Sequence, residues 1–267
     1  MSDYEFARCS TQGARNYQED TAVVWPGEAG LFAPAPDLGA DDGSIVAVLA
    51  DGMGGHAGGA LASRMVCEHF VGVCAARNGS VPERLVAALE EANAAVAAKV
   101  AQNPMLSGMG STLIGARFGA DGVEWVSVGD SPLMLYRGGE IAMLNEDHSL
   151  APELERLVAA GRMTEEEARH DPRRHMLRSA VTGDEIDMVD VSRRPLKMEP
   201  GDYVILASDG VHTLETAEIA RIVRAYGGEG ADAVARALIR EVEQMREPHQ
   251  DNATVIAVRL KPTGEVG

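Results

Sequence analysis

The segment Ile45 to Gly59, IVAVLADGMGGHAGG, constrains this chain more than any other. An apolar run of β type, Ile45 to Leu49, leads to a carboxylate at Asp51, and glycines follow at positions 52, 54, 55, 58 and 59. A strand thus delivers an acid to the rim of a sheet, and the backbone beyond can turn tightly and approach a ligand closely. Glycine-rich loops of this kind cradle phosphates where a lysine or bare amides face the anion. An acid in that place points to a cation instead. Taken alone, the stretch reads equally well as a strand, a tight turn and a helix with no site.

The same grammar recurs three times. Asp130 ends WVSVGD, Asp209 ends YVILASD and precedes Gly210, and Asp251 opens DNATVIAV. For any one of these acids a turn aspartate is the simpler reading; for all four together it is not. Strand ends on one rim converge, so their like charges repel unless a cation neutralises them. Hard oxygen ligands select Mg²⁺ or Mn²⁺ over zinc. At the N-terminus, Gly13-x-Arg15-x-x-x-Glu19-Asp20 adds a guanidinium, which grips phosphate bidentately, and two acids able to add a ligand or orient a metal-bound water. By itself that segment reads as a surface salt bridge.

Along the chain, Asp20–Trp25 reads as the first strand, and the Pro- and Gly-rich stretch 26–43 as a surface loop. Helical periodicity and alanine mark 59–76 and 82–102, with Pro82 suited to a first turn. Ser111–Phe118, Val123–Val128, Leu133–Tyr136 and Glu140–Leu144 read as one hairpin meander, with Asp121-Gly122 and Gly138-Gly139 at the joints. Residues 150 to about 187 differ: short helices, a capping box Thr164-x-x-Glu167, and a basic run Arg169, His170, Arg173, Arg174, His175, Arg178. That run is a solvated face unless it lies beside an active site. A strand at Tyr203–Ala207, helices near 216–225 and 231–246, and a strand Ala253–Leu260 complete the pattern. Meandering strands with paired helices predict an α+β fold, sheet packed on sheet with helices outside.

A net charge of -17 excludes nucleic acid and anionic membranes as expected partners and suits divalent cations. The start, MSDYEFARCS, lacks the signature of a signal peptide, and no apolar run approaches the roughly 18 residues that span a bilayer. A cytoplasmic protein is expected. Cys9, Cys67 and Cys74 form no C-x-x-C pair, so neither a disulfide frame nor structural zinc is expected. Cys67 and Cys74, two turns apart on one helix, read as small buried side chains.

QGARNYQED (12–20), VLADGMGGHAGG (48–59), GMGSTL (108–113), VGDS (128–131), LASDG (206–210) and DNAT (251–254) together resemble the ordered motifs of the metal-dependent PP2C-type (PPM) protein serine/threonine phosphatases, and match the bacterial branch best. The resemblance implies one domain over 1–267, a four-layer αββα sandwich of two central antiparallel sheets, with a flap subdomain at about 150–187. It implies two Mn²⁺ or Mg²⁺ ions bridged by Asp51, with the Gly52 carbonyl on one and Asp209 and Asp251 on the other. Glu19 and Asp20 would support them, Asp130 with Asp209 would hold a weaker third ion, and Arg15 would bind the substrate phosphate. A hydroxide bridging the two ions would attack phosphorus directly. His56 is the side-chain candidate for the proton donor, while His148, in EDHSL, is expected to be structural. Expected partners are phosphorylated proteins and an opposing serine/threonine kinase, with the enzyme a monomer. One departure stands out: Pro132 follows VGDS where the family usually has arginine.

Two rivals compete with this reading. Cys9-STQGA-Arg15 has the C-x5-R spacing of cysteine-dependent phosphatases, which need a buried strand before the cysteine and a helix after the arginine. The other rival is a phosphoprotein-binding module with this fold but no turnover.

Overall fold

The computed structural model describes residues 3–27, 43–54, 57–74 and 79–261. In chain order come β1 (Tyr4–Thr11), β2 (Thr21–Trp25), β3 (Ile45–Ala50) and the short β4 (Gly52–Met53), then the helices α1 (Ala57–Cys74) and α2 (Val81–Gln102). The short β5 (Gly110–Ser111), then β6 (Leu113–Gly119), β7 (Gly122–Val128), β8 (Leu133–Arg137) and β9 (Glu140–Met143) follow. The chain continues through α3 (Ala151–Ala159), α4 (Glu165–Arg169), β10 (Asp190–Val191), β11 (Tyr203–Ala207), α5 (Thr216–Tyr226), α6 (Ala231–Met245) and β12 (Ala253–Leu260).

The strands form two five-stranded sheets, β10-β7-β6-β3-β2 and β1-β12-β11-β8-β9, antiparallel at every pairing. β3 shows why they stack. All six of its residues are buried, because Ile45, Ala47 and Leu49 face the second sheet while Val46, Val48 and Ala50 face α1 and α2. A strand covered on both faces has no reason to alternate apolar with polar, which is why its sequence is a continuous apolar run. The second sheet packs its outer face, including Ile205, Val255 and Ala257, on α5 and α6. The layers are therefore helices, sheet, sheet, helices. Helix and sheet approach so closely at Gly115 that a Cβ there would lie 2.0 Å from the Phe70 ring. Each fully buried leucine such as Leu49 contributes about 1.5–3 kcal/mol of burial.

The expected meander is two hairpins in different sheets. β6 and β7 pair in the first, β8 and β9 in the second, and residues 129–132 carry the chain across. The hairpin turns were readable from their glycines, but the crossing was not, since Gly129 looks like any other joint. Pro132 sits at this crossing and its carbonyl accepts the Ala207 N–H at 3.0 Å. β1, the two-residue β4 and β10 have no strand signal in the sequence. β1 pairs along its whole length with β12, Tyr4 opposite Leu260 to Thr11 opposite Ala253, and β10 is only two residues long. The capping box at Thr164 and Glu167 is present, and a second one, Ser80 with Glu83, starts α2. Among the described residues no helix is long and apolar enough to cross a membrane.

Candidate active site

Antiparallel register brings the acids to one rim. Thr21 pairs with Ala50, so Asp20 arrives beside Asp51; Ala207 pairs with Val255, so Asp209 arrives beside Asp251. Leu113 pairs with Val128, which sets Asp130 on the same edge. A cleft of about 680 Å³ opens there, with Arg15, Glu19, Asp51, Asp130, Asp209 and Asp251 in its wall.

Asp51 and Asp20 are held by groups that carry no charge. The Asp51 N–H donates to the Thr112 hydroxyl at 3.0 Å, and its carbonyl accepts from the Thr112 N–H at 2.9 Å and the Ser111 hydroxyl at 2.8 Å. Asp20 accepts from the hydroxyls of Ser208 at 2.8 Å and Thr254 at 2.7 Å through one carboxylate oxygen. Its other oxygen is buried without a partner, as are one oxygen each of Glu19 and Asp209. Buried oxygens are ordinarily hydrogen-bonded, and leaving one bare costs about 1–3 kcal/mol or more when it is charged. Three such oxygens at one rim fit a cation that would complete them.

The electrostatics agree. Burial, and then the charges of Asp20, Asp209, Asp251 and Asp130, raise the Asp51 carboxyl well above the ordinary range. Asp209 is itself raised by burial and by the charge of Asp251. Burial, aided by Asp209 and Asp147, pushes Asp130 up to about 7. Asp20 rises to about 6, chiefly by burial, although its two hydroxyl donors pull the other way. Mutual repulsion of this size has no structural benefit in a protein that carries nothing there.

Arg15 reaches the rim from the loop after β1, where its guanidinium pairs with Asp251. The loop is tightly held. The Ala14 N–H donates to the Gln250 carbonyl at 2.8 Å, and Gly13, at φ 61°, lies so near that a Cβ would be 2.4 Å from the Asp251 carbonyl. No larger residue fits that turn.

A family profile described as Protein phosphatase 2C matches residues 38–226. The chain belongs to this family. PstP, a serine/threonine protein phosphatase of Mycobacterium tuberculosis, is 36% identical over 170 residues, which are 63% of this chain and 32% of PstP. The match thus spans about a third of that relative's length. The crystal structure of an S. agalactiae serine/threonine phosphatase superposes with a TM-score of 0.80 at 27% identity, covering 97% of this chain and 100% of that one. The PstP catalytic domain in complex with two manganese ions gives a TM-score of 0.73 at 30% identity, with 96% and 97% covered.

Within this phosphatase fold, His56 lies outside the described residues. Cys9 and Arg15 do not form a phosphate loop: Cys9 sits within β1 opposite Val255, packs toward α6, and is absent from the cleft wall. Burial raises its thiol, the reverse of what a nucleophile needs. Cys67 and Cys74 are buried on α1. His148 is structural: it is 1% exposed, its Nδ1 accepts the Gly129 N–H at 3.2 Å, and its carbonyl accepts from Arg178 N–H at 2.8 Å. It ties the sheet crossing to the segment after α4.

Asn252, beside Asp251, is a functional residue that the sequence reading does not single out. Its side chain donates to the carbonyls of Gln12 and Tyr17 at 2.8 and 2.9 Å and accepts from the Glu19 N–H at 2.8 Å, so it shapes the whole Arg15 to Glu19 loop. An asparagine buried before a strand was the available signal. From the basic run, His175 and Arg178 line the cleft, Arg178 within 3.6 Å of Glu153, while Arg173 and Arg174 are paired with Asp171 and Glu155.

Proposed function

We propose that this chain hydrolyses phosphoserine and phosphothreonine in proteins, using two Mn²⁺ or Mg²⁺ ions held by Asp51, the Gly52 carbonyl, Asp209 and Asp251. Glu19 and Asp20 support that pair, and Asp130 with Asp209 holds a weaker third ion. The observation that carries this reading is the set of buried carboxylate oxygens without partners on Glu19, Asp20 and Asp209, gathered beside Arg15. Among the described residues no three His, Cys, Asp or Glu side chains form a ready-made cage; a hard cation there would take backbone carbonyl and water oxygens as well. Bound, such ions supply Lewis acidity toward phosphoryl oxygens and a water acidic enough to attack at neutral pH.

The protein's own groups do the rest. Arg15 turns its guanidinium fork from Asp251 to the phosphate and orients it. Thr112 and Ser111 hold the Asp51 backbone so that its carboxylate cannot swing. The hydroxyls of Ser208 and Thr254 keep Asp20 pointing inward. The departing serine or threonine oxygen must gain a proton, and this reading assigns that transfer to His56 or to solvent.

Phosphorylated proteins are thus the partners, made by a serine/threonine kinase. The test is hydrolysis of p-nitrophenyl phosphate and a phosphothreonine peptide with Mn²⁺, and with excess EDTA. Activity that is lost on chelation and restored by Mn²⁺ is expected; full turnover in EDTA overturns the reading. Binding of phosphopeptide with no turnover under any metal would make the chain a binding module.

A further inference from the structure

The turn Thr182 to Glu185 has two sides. Thr182, Asp184 and Glu185 face the cleft that contains Arg15 and Asp51. Gly183 and Ile186 face a second groove of about 650 Å³, walled by Val86, Leu89, Val189 and Val191 between α2 and the chain leading to β10. The ridge between them is fixed. Asn93 of α2 accepts the Gly183 N–H at 2.8 Å and donates to the Asp184 carbonyl at 2.7 Å. Gly183, at φ 90°, is pressed so close that a Cβ would lie 2.6 Å from Ala97 Cα. The groove is therefore a standing feature of α2, with Val189 41% exposed on its wall and Leu89 buried at its floor.

Charge separates the two depressions. Asp184 and Glu185 are exposed on the ridge, and neither has an ion-pair partner among the described residues. Glu90 adds a third acid on the groove's far wall. A polypeptide leaving the cleft in this direction crosses carboxylates first and apolar surface second. Its phosphate would lie at Arg15, its next side chains at the ridge, and a later one in the groove, since an extended chain advances about 3.3 Å per residue.

We propose that this groove is the docking subsite for the substrate's own polypeptide, selecting phosphoprotein segments that carry a basic residue near the phosphorylated one and an aliphatic residue beyond it. The proposal rests on the phosphatase reading and names the substrate class for that site. Continuity of groove and cleft through one shared turn supplies the occupant, and the unpaired acids on the ridge supply its charge.

The test uses phosphothreonine peptides scanned with Lys or Glu, and Leu or Ala, at each flanking position. Turnover is measured with Mn²⁺, binding by fluorescence anisotropy, and p-nitrophenyl phosphate serves as a substrate too small to reach the groove. Peptides with the basic and aliphatic flanks should have kcat/KM about tenfold above the Glu and Ala versions, the scale of one apolar anchor. Val189→Glu and Val86→Glu, on opposite walls, should each erase the aliphatic advantage and leave p-nitrophenyl phosphate turnover unchanged. Glu185→Lys should invert the charge preference. Indifference to flanks in the wild type, or preferences unmoved by both valine variants, overturns the proposal. Should the wild type turn over nothing, the phosphatase reading fails and anisotropy still decides docking: binding that both valine variants lose sustains it, and equal binding ends it.

Discussion

The two rims of the stacked sheets hold acids in opposite circumstances. At the end far from the cleft, Asp202 takes the Arg137 guanidinium at 3.0 and 2.5 Å and the Glu199 N–H at 2.7 Å. Glu5, opposite Arg259 in the register, accepts from it at 2.8 Å and from the Ala231 N–H at 2.7 Å. At the cleft end, Glu19, Asp20 and Asp209 each keep a buried oxygen with no partner, and Asp51 faces Asp209. The far rim satisfies its acids with arginine, whereas at the cleft rim, the pair of Asp251 with Arg15 aside, buried carboxylate oxygens are left bare. Carboxylates at strand ends are thus not costly in themselves; what marks a site is the withheld partner.

The sharpest way to break this comparison is to remove charge at each rim in turn. Asp51→Ala or Asp209→Asn should abolish Mn²⁺-dependent turnover, by about 10³-fold or more, because the acid that fixes the activated water is lost. Either change should also raise the melting temperature of the metal-free protein, since repulsion is relieved. Retention of more than about a tenth of wild-type kcat would contradict the assignment.

Asp202→Ala should do the reverse. It leaves Arg137 with Glu199 and the Lys197 carbonyl and should cost about 2–3 kcal/mol, less than a fully buried broken pair because Arg137 is 37% exposed. The protein that remains folded should keep its kcat. Chemical denaturation alongside initial rates separates the outcomes, and a loss of kcat without loss of stability would mean that the two rims are not independent.

The sequence carried one rim of this picture and hid the other. Asp51, Asp130, Asp209 and Asp251 could be found because each is local to an apolar run, and strand ends on one edge must meet. The layers followed from β3, whose six apolar residues require cover on both faces. Nothing local marks β1, whose Glu5 and Arg8 interrupt its apolar side chains and whose partner is about 250 residues away. The pairing of Glu5 with Arg259 was hidden for the same reason. Asn252 and Asn93 act through side-chain bonds to distant backbone, which no periodicity encodes.

A smaller effect tests the bare rim by pH. Burial and neighbouring acids hold Asp130 at about 7 and Asp20 at about 6, against an ordinary 3.8. Between about pH 4 and 7 these two carboxyls therefore bind more protons in the folded protein than in the unfolded chain. Stability from these groups is complete below that window and is lost as pH rises through it. The metal-free protein should melt several degrees lower at pH 8 than at pH 5, at about 2–4 °C per kcal/mol for a chain of this size. His148 and His212, both lowered by burial, act in the opposite sense within this window and reduce the gap, and Asp171, lowered to about 2 by Arg173, does so below it. Saturating Mn²⁺ should close the gap, because the ion replaces the protons. A metal-free melting temperature that stays flat or rises from pH 5 to pH 8 would show that the acids are not under the strain described.

The smallest effect belongs to Arg15, whose guanidinium touches the bare rim. Its side chain is 55% exposed and Asp251's is 36% exposed, so their pair contributes about 0–1 kcal/mol rather than the several of a buried pair. Arg15 is therefore poised between Asp251 and an incoming phosphate, and moving it costs little. Arg15→Ala should raise KM for a phosphopeptide about tenfold with kcat within about threefold, because phosphate is gripped alike in ground and transition states. Arg15→Lys should recover only part of this, since an ammonium lacks the bidentate fork. The same alanine variant should bind Mn²⁺ a few-fold more tightly by calorimetry, as a cation beside Asp251 has been removed; about 1 kcal/mol sets the ceiling near fivefold. Looser Mn²⁺ binding would mean that Arg15 buttresses Asp251 as Arg137 does Asp202, and the contrast between the rims would then end one residue short of the cleft.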